Sequence, residues 1–67
     1  MKFSGYSSVN NMFYEVRNVN GSYALFCRVD LGSGKKFIHV PTATIYPMGD
    51  SMVYVVDENH EFELELN

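Results

Sequence analysis

Residues Met12 to Asp30 read MFYEVRNVNGSYALFCRVD, with two alternating runs on either side of Asn20-Gly21. Asn-Gly between such runs is the strongest short-range signal for a β-hairpin with a type I′ turn, because both residues tolerate positive φ. The sequence therefore predicts strands over Met12–Asn18 and Ser22–Asp30, with one face almost wholly apolar. The predicted register pairs Val19 with Ser22, Val16 with Leu25, Tyr14 with Cys27, and Met12 with Val29.

A second hairpin is predicted near the C-terminal end, and no segment shows a helical period of useful length. Ser51–Val56 pairs with Glu61–Leu66 across a turn centred on Glu58-Asn59, which sets Val55 against Phe62 and Val53 against Leu64. The segment Leu31–Gly34 is predicted as a flexible loop because it holds two glycines. Three further segments are predicted as strands or parts of strands: Lys2–Tyr6, Lys36–Val40 and, beyond the interruption at Pro41, Thr42–Tyr46.

These signals predict an all-β fold and one small domain over residues 1–67. About five short antiparallel strands at this spacing favour a small SH3-like or OB-like barrel. The alternative is an open β-meander that dimerises. Both hairpins also carry apolar residues on their second faces, and a chain of 67 residues has few other elements to cover them. We therefore expect a homo-oligomer.

Charge is unevenly distributed along the chain, whose net charge is −3. All five Lys and Arg residues lie within the first 36 positions, while five of the eight acids lie in the last eleven. So few cations oppose binding to a nucleic-acid backbone, which needs a basic face. No apolar run approaches the roughly 20 residues of a membrane span, and one mid-strand cysteine suits a reducing compartment. We expect a cytoplasmic protein with no membrane partner, and the charge balance disfavours a nucleic acid as partner.

Residue types that carry chemistry are few and scattered. Cys27, His39 and His60 could supply a nucleophile and a base, but no spacing orients them for catalysis or for zinc. The segment Gly32–Lys36 contains Gly-Lys but lacks the P-loop spacing and the following Ser or Thr. We therefore predict that the protein is not an enzyme and has no catalytic residues, metal site or cofactor.

The cleanest alternation in the chain is Glu61–Leu66, which reads EFELEL. It puts three carboxylates on one strand face, and the neighbouring strand places three apolar side chains on the same face. An apolar stripe bordered by acids is typical of a protein-binding surface, although a solvated edge strand would look similar. The predicted partner-binding residues are Met52, Tyr54, Val56, Glu61, Glu63 and Glu65.

These features favour a protein-binding module whose partner is another protein with a basic surface. A small module without a catalytic constellation is the kind of product with which phages and mobile elements inhibit a host protein, so we expect an inhibitor or adaptor. The alternative is a single-stranded nucleic-acid binder that uses aromatic and basic residues of the first hairpin and the adjoining loop. Its residues would be Phe13, Arg17, Phe26, Arg28, Lys35 and Lys36. Phe13 and Phe26 could equally form a second layer of core.

Overall fold

The computed structural model describes residues 2–58 and 60–66, and its regular structure is entirely β. Among these residues no helix is long and apolar enough to cross a membrane. The described residues form seven strands: β1 (Lys2–Tyr6), β2 (Phe13–Val19), β3 (Ser22–Leu31), β4 (Gly34–His39), β5 (Thr44–Pro47), β6 (Met52–Val56) and β7 (Glu61–Leu66).

All seven strands belong to one antiparallel sheet in the order β4-β3-β2-β1-β7-β6-β5. The chain passes from one edge strand to the other between His39 and Thr44. Those five residue steps span at most about 18 Å. In a flat sheet, six inter-strand spacings would separate the two edges by about 29 Å. The sheet therefore curls into a half-barrel, with the short connection drawing its edges together.

The core fills the inner, concave face of the half-barrel. Val16, Val53 and Val55 have no exposed surface, and Leu25 and Leu64 are 1% exposed. At the centre of the sheet Gly5 leaves space for Leu64, whose Cδ2 would lie 3.4 Å from a Cβ at that position. The buried apolar cluster comprises Phe3, Tyr14, Val16, Leu25, Val53, Val55, Phe62 and Leu64.

The predicted first hairpin is confirmed in its turn and in most of its register. Asn20 and Gly21 have φ values of 53° and 85°, as a type I′ turn requires. The predicted pairing of Met12 with Val29 is wrong, because β2 begins only at Phe13 and its pairing with β3 begins at Tyr14 and Cys27. The confirmed pairs are Tyr14–Cys27, Val16–Leu25 and Val19–Ser22.

The second predicted hairpin is also confirmed. Val55 pairs with Phe62 and Val53 with Leu64, so their side chains enter the core together. Asn59 of the turn predicted at Glu58-Asn59 lies outside the described residues.

The strand count differs from the prediction of about five. Lys2–Tyr6 forms a complete strand at the centre of the sheet, and Pro41 separates two strands that lie on opposite edges. The predicted loop at Leu31–Gly34 is a tight two-residue turn, since those two residues pair directly and Gly34 adopts a φ of 143°. The all-β class is confirmed, while SH3-like or OB-like closure stays a prediction.

Candidate binding surface

Side chains that alternate with the core residues lie on the outer, convex face of the sheet. There the six predicted partner-binding residues come together as three cross-strand pairs between β6 and β7. Glu61, Glu63 and Glu65 are exposed, whereas the three apolar side chains beside them are half-buried. We call this set the acidic patch: Met52 opposite Glu65, Tyr54 opposite Glu63, and Val56 opposite Glu61.

Tyr46 extends the apolar stripe of the acidic patch onto β5. It lies directly opposite Tyr54 and is 51% exposed. The sequence did not place Tyr46 in this surface, because its pattern assigns no neighbouring strand to Thr42–Tyr46. The alternation of β6 identifies Tyr54 as outward-facing, but only the pairing of β5 with β6 shows that Tyr46 lies beside it.

The acid row on β7 is not neutralised by the described part of the protein. Among the described residues, the only acids that form ion pairs within 4 Å are Glu15 and Asp30, and both lie outside the acidic patch. The Tyr54 hydroxyl donates a hydrogen bond to Glu61, and this bond raises the pKa of the tyrosine. The patch thus combines unpaired negative charge with aromatic and aliphatic surface.

A second outer-face region, on β1–β4, is built from arginines laid over aromatic rings. The Arg17 guanidinium carbon lies 4.4 Å from the centre of the Phe26 ring and 5.0 Å from that of Phe37. Arg28 lies 4.5 Å from the centre of the Phe13 ring. We call this region the arginine–aromatic cluster, and its members are Tyr6, Phe13, Arg17, Phe26, Arg28 and Phe37.

Glu15 anchors the arginine–aromatic cluster. It is 4% exposed, and its carboxylate accepts from Lys2 at 2.8 Å and from Arg17 at 3.0 Å. Burial opposes ionisation, but the hydrogen bonds and charges of the two cations outweigh it and lower the pKa of Glu15. The positive charge of Arg17 is therefore already matched within the protein.

The residues of the alternative nucleic-acid surface do not all share a face. Lys35 pairs with Asp30 on the outer face, whereas Lys36 pairs with Val29 on the inner face. Consecutive strand residues point to opposite sides, so Lys35 and Lys36 of β4 do not share a face of the sheet. The structure therefore places Lys36 on the inner face, away from the outer face that the other five residues share.

Cys27, His39 and His60 do not all share one face of the sheet. Cys27 lies on the inner face, and burial raises the pKa of its thiol. His39 lies on the outer face beside the Phe26 ring, with the ring centres 5.4 Å apart. His60 stacks on Phe62, and its buried Nε2 has no hydrogen-bond partner among the described residues. The same residues contain no group of three His, Cys, Asp or Glu side chains placed to hold a metal ion.

Comparisons with protein-family models, with curated proteins and with solved structures found no match to this chain. Its function must therefore be inferred from the chemistry of its outer face.

Proposed function

We propose that the protein is a small non-enzymatic binding module whose acidic patch docks on another protein. The partner presents basic groups beside an apolar contact, and the module acts on it as a cytoplasmic inhibitor or adaptor. The role fits a phage or mobile-element product directed at a host protein. The observation that carries the proposal is the pairing of Glu61, Glu63 and Glu65 with Val56, Tyr54 and Met52 on one exposed face.

The two halves of the acidic patch have different tasks in this proposal. The carboxylates repeat about 6.7 Å apart along β7, so they attract and orient a partner with several cations. Charge complementarity acts mainly on association rate, whereas buried aromatic anchors slow dissociation. Tyr54, flanked by Tyr46 and Met52, is the aromatic side chain nearest the middle of the patch. We expect it to be the main contact residue.

The arginine–aromatic cluster supports the alternative nucleic-acid function less well. Stacking platforms need ring faces that a base can reach, but Phe13, Phe26 and Phe37 each have an arginine of the same molecule over them. Glu15 and Asp30 further reduce the positive charge of this region. The net charge of −3 also opposes an electrostatic nucleic-acid site.

The test compares binding by two variants of equal charge. One replaces Glu61, Glu63 and Glu65 with Gln. The matched control replaces three exposed acids outside the patch: Asp30→Asn, Asp50→Asn and Glu58→Gln. Each immobilised protein is used to capture partners from host lysate, and the captured proteins are identified by mass spectrometry. Their association and dissociation rates are then measured on a surface that carries the parent or a variant.

We expect the control to bind as the parent does and the patch variant to associate more slowly, with a weaker dependence on salt. Tyr54→Ala should speed dissociation. Equal binding by the patch variant, the control and Tyr54→Ala would reject the acidic patch. Capture of nucleic acid that weakens steeply with salt would instead favour the arginine–aromatic cluster.

A further inference from the structure

We propose that the free edge of β4 pairs with β4 of a second copy, so that two half-barrels join into one continuous antiparallel sheet. Self-association through this edge is independent of the acidic patch, which lies on β6 and β7 in the other half of the strand order. It rests on three features: the direction of the backbone groups on β4, the blocked edge of β5, and the residue pairs that a two-fold axis would create.

The backbone hydrogen bonds show which groups of β4 are unused. The Val40 amide donates to the Leu25 carbonyl at 2.9 Å. Hydrogen-bonded positions alternate along an antiparallel pair, so the even-numbered residues of β4 bond to β3. Lys35, Phe37 and His39 therefore direct their N–H and C=O groups away from β3, along an edge with no neighbouring strand in the described sheet. These three alternate residues offer a row of free backbone groups for strand addition.

The opposite edge of the sheet, β5, does not offer such a site. The Met48 amide donates to the Met52 carbonyl at 2.9 Å. By the same alternation, Ile45 and Pro47 face outward, and proline has no N–H to donate. A molecule with one usable edge and one blocked edge closes as a two-fold dimer, whereas two usable edges would allow open-ended stacking.

Side-chain pairing selects the register of the dimer. Residues whose backbone groups point to the free edge must pair with residues of the same kind in the second copy. This condition allows a two-fold axis at Lys36, Phe37 or Ile38. An axis at Lys36 would place Lys36 of one copy directly opposite Lys36 of the other, and this pairing of like charges is unfavourable. An axis at Ile38 would leave Lys35 beyond the end of the partner strand. An axis at Phe37 uses all three outward residues.

The Phe37-centred register also gives compatible neighbours. Lys35 lies opposite His39 of the second copy, and Lys36 lies opposite Ile38 of the second copy. Ile38 is 48% exposed in the single chain, so pairing would cover apolar surface that now faces solvent. Lysines on a sheet edge discourage indiscriminate strand pairing. Here they exclude the Lys36-centred register and permit the neighbouring one.

The test uses two charged substitutions at one exposed position, Ile38→Glu and Ile38→Lys. Both remove the same apolar side chain, so they are matched for the lost apolar contact. The effect of each charge on Lys36 of the same chain is present in monomer and dimer alike, so it does not enter the dimerisation equilibrium. In the Phe37-centred dimer, Glu at position 38 faces Lys36 of the second copy, whereas Lys at that position faces a like charge. Sedimentation equilibrium is measured for the parent and both variants from about 10 µM to about 1 mM, because dimer formation follows mass action.

We expect the parent to dimerise within this range. The dimer contains two symmetric pairs of position 38 with Lys36, which are attractive in Ile38→Glu and repulsive in Ile38→Lys. The dimer dissociation constant of Ile38→Lys should therefore be about tenfold higher than that of Ile38→Glu. Hydrogen exchange should slow at the amides of Lys35, Phe37 and His39 as the parent concentration rises. A parent that stays monomeric at the highest concentration overturns the proposal. Equal weakening by both charges overturns the Phe37-centred register.

Discussion

The guanidinium carbon of Arg17 lies 4.4 Å from the centre of the Phe26 ring, while the same side chain donates a 3.0 Å hydrogen bond to Glu15. One arginine thus covers an aromatic ring and satisfies a buried carboxylate on the outer face of the sheet. The half-barrel has an apolar core on its inner face and a cation–aromatic layer on part of its outer face. The outer face of β1–β4 therefore contributes to the stability of the fold.

Arg17→Met should lower the free energy of unfolding by about 1–3 kcal/mol, because Glu15 loses one of its two cationic partners and two rings lose their cation. Arg17→Lys should fall between the parent and Arg17→Met, since an ammonium keeps the charge but lacks the planar stacking surface. Urea unfolding at pH 7 measures both values. If Arg17→Met unfolds at the same urea concentration as the parent, the cation–aromatic layer does not contribute to the free energy of unfolding.

Acid should remove the contribution of Glu15. Its pKa is lowered in the folded protein, so its stabilisation is complete above the unfolded value of about 4.3. That stabilisation is lost as pH falls through the folded-state pKa. Glu15→Gln should therefore be less stable than the parent at pH 7, and the difference should narrow below about pH 4.5. Unfolding curves of both proteins from pH 7 to pH 3 give the comparison. A gap that widens on acidification would contradict the assigned role of Glu15.

The type I′ turn makes a prediction with a matched glycine control. Gly21→Ala should cost about 1 kcal/mol, because a Cβ disfavours the positive φ that this position adopts. Gly32→Ala should have little effect, since Gly32 is not among the glycines with positive φ. Nothing lies within 4 Å of a Cβ at either position, so neither cost is a clash. Thermal unfolding of the two variants compares them. Equal losses would show that the Asn20-Gly21 turn does not depend on left-handed backbone.

Cys27 should react slowly with alkylating reagents in the folded protein. Burial raises the pKa of its thiol, which reduces the thiolate fraction, and the inner face limits access. We expect iodoacetamide at pH 8 to modify the native chain at least about tenfold more slowly than the urea-unfolded chain. Intact-mass spectrometry over time measures the rate at the single cysteine of the chain. A native rate equal to the unfolded rate would contradict the inner-face placement.

Local pattern was sufficient to predict the two hairpins, because turn chemistry at Asn20-Gly21 and strict alternation at Glu61–Leu66 fix register over short distances. The pairing of Phe3 with Leu66, which joins the two halves of the sheet, connects positions at opposite ends of the chain and leaves no local signal. The same limit explains the acidic patch. Its β6–β7 residues could be predicted from one hairpin, but Tyr46 required the neighbour of β5.

The acid row should not stabilise the fold, because it repels itself and has no cation within 4 Å among the described residues. Replacing Glu61, Glu63 and Glu65 with Gln should raise the free energy of unfolding by up to about 1 kcal/mol at low salt. Tyr54 keeps a hydrogen-bond acceptor in this variant, since a glutamine carbonyl at position 61 can accept from its hydroxyl.

Urea unfolding at pH 7 in low salt and in about 0.5 M NaCl tests this expectation, because salt screens the repulsion in the parent and the advantage of the variant should then disappear. Glu15→Gln is the control, since it removes a carboxylate that is paired and buried and should destabilise in both conditions. A triple variant that is less stable than the parent would show that the acid row holds the sheet together. Slower binding by this triple variant would then reflect a weakened fold and could not be assigned to a contact with the partner.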